Sequence, residues 1–188
     1  MKQTLRLFIA LVLPDEVKQH LAESCTVLKK KWKFSRWVCP EDYHITLYFL
    51  GDVSETGKEQ ILSSLSGCSA ISRPFPLSLS GLGTFGCEKQ PRVLWAGVSG
   101  DLSALHALQK QVSQAVGLLG FPSEKRAYRP HITLARKCQQ HNFFLPPEAH
   151  SLFREVRWEA DEFALYETRL GEQPMYRIIQ KFKCSVSD

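Results

Sequence analysis

The tetrapeptide His-Ile-Thr-Leu occurs twice in the chain, at His44–Leu47 and at His131–Leu134. Each copy sits in an apolar run of β-strand character, Tyr43-His-Ile-Thr-Leu-Tyr-Phe-Leu50 and His131-Ile-Thr-Leu-Ala135. Side chains alternate between the two faces of a strand, so His44 and Thr46 share one face while Ile45, Leu47 and Phe49 take the other. His131 and Thr133, against Ile132 and Leu134, repeat the arrangement. Such a chain needs a fold in which two strands each keep an apolar face on a core and leave an imidazole and a hydroxyl on the opposite face. Set against each other, the two polar faces make a cleft containing two histidines.

At 188 residues the chain has the size of one domain, and residues 1–188 read as two similar lobes of it, with length enough to bury a core. Hydrophobic residues at 44% and charged residues at 23% are ordinary for a soluble globular protein. The net charge of +5 favours a polyanionic partner without identifying one, and it does not suggest histone-like binding. The six cysteines, Cys25, Cys39, Cys68, Cys87, Cys138 and Cys184, are dispersed and form no Cys-x-x-Cys pair. That spacing argues against a disulfide framework and against structural zinc, and reduced thiols in a cytoplasm are the simpler reading. Lys2 and Arg6 flank an apolar Leu7–Leu13 in the manner of a signal peptide, but Pro14-Asp15-Glu16 follows at once without a small-residue cleavage site. No run approaches the length that spans a bilayer. The expectation is a cytoplasmic monomer acting away from membranes, with no protein partner indicated.

Arg6–Leu13 reads as a buried strand. Pro14 suits a first helical position, and Asp15 and Glu16 complement the positive end of the helix dipole. Val17, Leu21 and Leu28 then carry an amphipathic helix to about Lys31. Gly51 stops the first motif strand, and a helix through Ile61, Leu62 and Leu65 follows. Phe75, Leu77 and Leu79 alternate as a strand, and Val93–Val98 reads as a strand apolar on both faces. Leu102, Leu105, Val112, Val116 and Leu119 make a second long amphipathic helix closed by Gly120. Residues Lys137–His150, containing Pro146-Pro147, read as a long surface loop, and Glu162–Tyr166 and Tyr176–Phe182 as two final strands. The elements mix without strict βαβ alternation, which predicts an α+β fold with antiparallel pairing. The order strand, helix, His-x-Thr strand recurs, with no linker between independent domains.

Two histidines across a cleft suit acid–base chemistry. Imidazole titrates near neutral pH, so one ring serves as a neutral base while its partner is a protonated acid, each proton transfer being worth about 10²–10⁴-fold in rate. Threonine hydroxyls beside them can stabilise an anionic oxygen as charge develops. Base, acid and donors together serve in-line attack on a phosphodiester, and no metal is required. Zinc binding is the rival reading. It needs three or four ligands, and nothing near either motif supplies a clear third.

With these residues in view, the chain resembles the two-histidine (2H) phosphoesterase superfamily and, within it, the bacterial and archaeal RNA 2′,3′-cyclic phosphodiesterases, also called 2′-5′ RNA ligases. Leu5–Pro14 resembles the family's opening strand and helix start, and Trp37 followed by His44–Gly51 its first motif region. Pro91–Gly97 is similar to its central strand, and Arg129–Arg136 to its second motif. The likeness covers essentially the whole chain and is weakest over Lys137–His150.

The resemblance implies a bilobal fold, with antiparallel sheets lining a central cleft, helices outside and a pseudo-twofold repeat. It implies hydrolysis of a terminal RNA 2′,3′-cyclic phosphate to a 2′-phosphate without metal, ATP or other cofactor. By position, His44 would protonate the leaving 3′ oxygen, His131 would activate water, and Thr46 and Thr133 would bind the non-bridging oxygens. The family also shows the reverse joining of RNA ends through a 2′-5′ linkage. Two other readings stay open: a cyclic phosphodiesterase acting on a small nucleotide, and a non-catalytic RNA- or nucleotide-binding module. The intact histidines and threonines argue against the second.

Arg136 matches the family's second motif, where an arginine helps to hold the nucleotide. Strict alternation gives it the parity of Ile132 and Leu134, so either the strand ends or bulges before it, or its side chain reaches round the rim. Lys125, Arg126 and Arg129 precede the second motif and are placed to attract phosphate. Tyr43 and Phe49 are candidates for stacking on a base, although parity assigns Phe49 to the core. Lys29–Trp37 interleaves basic and aromatic residues as an RNA-tracking surface does. It reads more simply as a helix C-terminus with Trp32 and Phe34 packed on the core. Phe143 and Phe144 suit either a lid or a loop anchor. His20, His106, His141 and His150 read as incidental.

Overall fold

The apolar opening run forms strand β1 (Thr4–Val12), and helix α1 (Asp15–Lys31) follows, with Pro14 at the position before the helix rather than inside it. The structure, a computed structural model, describes residues 4–70, 72–122, 126–153 and 156–185, so Lys125 lies outside the described residues. Next come β2 (Phe34–Trp37), a 3₁₀ turn (Pro40–Asp42), β3 (His44–Ser54), α2 (Glu55–Ala70), β4 (Phe75–Cys87) and β5 (Gln90–Gly100). The chain continues through α3 (Leu102–Gly117), β6 (His131–Cys138), a 3₁₀ helix (Pro147–Phe153), β7 (Arg157–Ala160), β8 (Glu162–Thr168) and β9 (Tyr176–Lys183).

The helices follow from their sequences. α1 buries Val17, Leu21, Cys25 and Leu28 at helical spacing, with Asp15 and Glu16 in its first turn and Lys29, Lys30 and Lys31 in its last, both complementing the dipole. α3 is capped by Asp101, whose carboxylate accepts from the Ala104 N–H at 2.9 Å. It ends at Gly117, short of Leu119, and Gly120 takes φ 91° in the turn beyond it.

All strand pairings are antiparallel, in the order β7-β4-β5-β6-β3-β1-β8-β9, with β2 alongside β6. The fold is therefore α+β with antiparallel pairing, as expected. The two halves of the sheet, β7-β4-β5-β6 and β3-β1-β8-β9, meet at a single pair, Ile45 opposite Ile132. The two motif strands are the innermost strands of their halves, which is the pseudo-twofold repeat in three dimensions. Leu7, Ile9, Leu11, Ile45, Leu47, Leu94, Ala96, Ile132 and Leu134 bury one face of the sheet in a core shared with α1, α2 and α3. Each fully buried aliphatic side chain there contributes about 1.5–3 kcal/mol.

Two strands escape the sequence reading, β2 and β7, each of four residues and too short for alternation to register. The loop expected over Lys137–His150 is also corrected. Lys137 and Cys138 complete β6, paired to β2 at Phe34, while His150 belongs to the second 3₁₀ helix, which buries Ala149 and Phe153. Trp32 and Phe34 pack in the core as expected.

Candidate active site

Pairing of Ile45 with Ile132 sets the site. In that antiparallel register His44 lies opposite Thr133 and Thr46 opposite His131, all four on the face away from the helices. Ile45 and Ile132 are 0% exposed, whereas the two histidines and two threonines are half-buried. Each imidazole is held in the same way. His44 Nδ1 lies 2.7 Å from the Asp42 carbonyl, and His131 Nδ1 lies 2.7 Å from the Arg129 carbonyl. A carbonyl only accepts, so both Nδ1 atoms donate and Nε2 is the basic atom of each neutral ring. The Thr46 hydroxyl lies 3.1 Å from His44 Nε2.

Aromatic walls stand behind both rings. His44 lies among Phe8, Tyr166 and Tyr176, at centroid distances of 4.9, 5.9 and 5.2 Å. His131 packs edge-on against Phe85 at 4.9 Å and lies 6.1 Å from Trp95. This burial is the main reason that both imidazoles are shifted below their ordinary range. His44 falls to about 4, with the charges of His131, Arg136 and Lys18 pushing the same way and the Asp42 carbonyl opposing. His131 is lowered by burial and then by Arg136, opposed by the Arg129 carbonyl. Both rings of the free site are neutral at pH 7.

Both motif strands bulge just after the threonine, and this places residues that alternation misassigns. In β6, Thr133 faces Trp95 and Ala135 faces Leu94, leaving Leu134 as the extra residue. In β3, Thr46 faces Ala10 and Tyr48 faces Ile9, leaving Leu47 as the extra residue. Parity flips after each bulge. Arg136 therefore joins the histidine face, where its charge acts on His44, His131 and Tyr176. Phe49, its counterpart in the repeat, is 67% exposed and lies 5.9 Å from Phe8 across the same face. Its expected place in the core is thus wrong, because the period of two fails at a bulge. Tyr43, by contrast, is buried and its hydroxyl donates to Cys25 Sγ, which removes it from the cleft.

Arg129 meets His131 through its backbone carbonyl, and its side chain is exposed. Arg36, overlooked in the basic and aromatic stretch, pairs with Arg136 in the β2–β6 register and so shares its face, with Nη2 3.3 Å from Met175 Sδ. Also unforeseen is Asp42, 3% exposed, whose carboxylate accepts from the N–H groups of Met175 and Tyr176, each at 2.9 Å. No signal in the sequence separates Asp42 from a surface turn residue. Two neutral bases aimed at one space, with hydroxyls between them and an arginine at the edge, can hold a phosphate and move protons on either side of it.

The family model of the 2′-5′ RNA ligase superfamily matches residues 13–172. The RNA 2′,3′-cyclic phosphodiesterase of Geobacillus stearothermophilus is 39% identical over 176 residues, which are 93% of this chain and 56% of that protein. The chain thus spans little more than half of that relative. The Bacillus subtilis RNA 2′,3′-cyclic phosphodiesterase is 38% identical over 154 residues, 81% of this chain and 82% of its own length. Among solved structures, a protein of Thermus thermophilus superposes with a TM-score of 0.82 at 29% identity, covering 98% of this chain and all of that one. No helix among the described residues is long and apolar enough to cross a membrane.

Proposed function

Because the chain belongs to the 2′-5′ RNA ligase superfamily, we propose that it hydrolyses the 2′,3′-cyclic phosphate at the end of an RNA to a 2′-phosphate. The observation that carries this reading is the pair of imidazoles, each with Nδ1 tied to a carbonyl so that Nε2 is the basic atom, set beside each other's threonine across the seam. Water attacks phosphorus and gives its proton to His131 Nε2. The bond from phosphorus to the 3′ oxygen breaks, and that oxygen takes a proton from His44 Nε2. Thr46, Thr133 and Arg136 hold the non-bridging oxygens as charge develops. The 2′-5′ joining reaction uses the same groups, with a 5′-hydroxyl in place of water.

His44 is neutral in the free site, so its acid form depends on the substrate. An anionic phosphodiester brought against the ring favours the protonated state, and the low dielectric that depresses the free ring strengthens that attraction. Phe49 and Tyr176 supply aromatic faces near the cleft for the terminal base, and base stacking is tolerant of base identity.

The test is turnover, with EDTA present, of a short RNA ending in a 2′,3′-cyclic phosphate and of an analogue with sulfur at the leaving 3′ position. His44→Ala and His131→Ala are each expected to lose about 10²–10⁴-fold on the natural substrate. A thiolate leaves without protonation, so the sulfur analogue should restore His44→Ala and leave His131→Ala slow. Rescue of His131→Ala instead would reverse the two roles. Near-wild-type rates in either variant would remove that histidine from the mechanism, and tight binding without turnover by the wild type would point to a binding module.

A further inference from the structure

On the same face as the histidines, one strand beyond Trp95, lies a cavity of about 500 Å³ whose polar lining is Ser78, Ser80, Ser99, His150 and Arg157. The register fixes its orientation. Gly97 of β5 pairs with His131, and a methyl group at Gly97 would meet the Ser80 hydroxyl at 2.7 Å, so Ser80 borders the space beside His131. Ser99 has the parity of Gly97, Ser78 pairs with Ser99, and Arg157 pairs with Ser78 across the β4–β7 edge. From β6 to β4 is two strand spacings and to β7 three, which sets the cavity about 10–14 Å from the motif strand.

The lining is donor-rich. His150 Nδ1 accepts from the Leu82 N–H at 3.2 Å, so the neutral ring carries its proton on Nε2. The Leu82 N–H is free for this bond because β4 bulges here, between Leu79 and Leu82. The approach needs glycine: Gly81 has φ 88°, and a Cβ on it would lie 2.8 Å from His150 Nδ1. No carboxylate of the described residues forms an ion pair with Arg157. The Ser99 hydroxyl donates to the Ser78 carbonyl at 3.5 Å. The hydroxyls of Ser78 and Ser80, the His150 N–H and the Arg157 guanidinium together match a phosphate oxyanion.

We propose that this cavity is a second phosphate site, which holds a phosphodiester of a ribonucleotide strand while the histidines work on the terminal cyclic phosphate. The assignment rests on the reading of the histidine site as one for RNA ends, and it makes the preferred substrate a polynucleotide rather than a cyclic mononucleotide. The phosphodiester belongs either to the strand that carries the cyclic end or, in the joining reaction, to the strand whose 5′-hydroxyl attacks from the His131 side.

The experiment compares wild type, Arg157→Gln and Ser80→Glu on a 2′,3′-cyclic mononucleotide and on a pentaribonucleotide ending in the same nucleotide. It adds a joining assay with a second, 5′-hydroxyl strand. Arg157 and Ser80 are exposed, so neither substitution disturbs the core. Each variant is expected to raise KM about tenfold for the pentanucleotide, or for the attacking strand alone in the joining assay, with the mononucleotide kinetics and kcat unchanged. The first result assigns the phosphodiester to the cyclic-ended strand and the second to the attacking strand. Unchanged KM for every strand, or an equal loss on the mononucleotide, overturns the proposal. If wild type turns over neither substrate, the hydrolase reading fails by itself. Fluorescence anisotropy of a labelled pentanucleotide 2′-phosphate then decides the cavity: about tenfold weaker binding by Arg157→Gln supports it, and equal binding overturns it.

Discussion

His44 and His131 carry the same local device, a ring nitrogen donating to the carbonyl two residues earlier, and they differ in what surrounds the ring. Three aromatic side chains and three positive neighbours hold His44 down to about 4, while its unfolded counterpart titrates near 6.5. Between those values the unfolded chain binds the extra proton, so stability is fully present above about pH 6.5 and falls as the pH falls toward 4. The loss over that window reaches roughly 3 kcal/mol, with His131 adding in the same direction. Urea midpoints for His44→Gln should therefore be flatter than wild type between about pH 7 and 4.5, and parallel curves would dismiss His44 as the source. The same shift governs turnover. Because kcat/KM reads the free enzyme, it should rise as the pH drops from about 8, level off as His131 protonates, and fall only once His44 itself is fully protonated, near 4.

At the level of elements, the site depends on features belonging to strand pairs and turns. The bulges after Thr46 and Thr133 turn Phe49 and Arg136 toward the cleft, giving its two ends an aromatic ring and a guanidinium. The 3₁₀ turn Pro40–Asp42 joins the first motif to the last hairpin, since the Asp42 carbonyl steadies His44 while its carboxylate holds the start of β9. Asn at this position turns one acceptor into a donor that faces a backbone N–H. We expect Asp42→Asn to cost about 1–3 kcal/mol in urea unfolding. It should also lower kcat more than it raises KM, because Tyr176 loses its fixed place against His44. Unchanged stability and kcat would leave Asp42 without a supporting role.

For the whole molecule, the sheet is continuous although the ladder joining its halves is a single pair, and the core beneath them is common to both. A shared core makes unfolding of one half expose the other, so the halves should unfold together. Fluorescence of a variant that keeps Trp158 as its one tryptophan reports β7, and peptide-resolved thiol labelling of Cys25 reports α1, both residues being buried. Their urea transitions are expected to coincide, and Ile132→Ala should move both by the same 2–5 kcal/mol or so. Separate midpoints would show that the seam divides two independent units.

The sequence by itself determined what depends on neighbours along one strand or helix. The paired His-x-Thr faces, the apolar side beneath them and the spacing of Val17, Leu21 and Leu28 were all legible, because periodicity is a local property. The tertiary structure decided what depends on a second segment. Whether Arg136 and Phe49 face the cleft turns on bulges, which exist only between paired strands. Asp42 meets β9 across 133 residues of chain, and His150 meets the edge of β4 across 68. Such contacts leave no period in the sequence, since they arise from where the folded sheet brings its edges and turns.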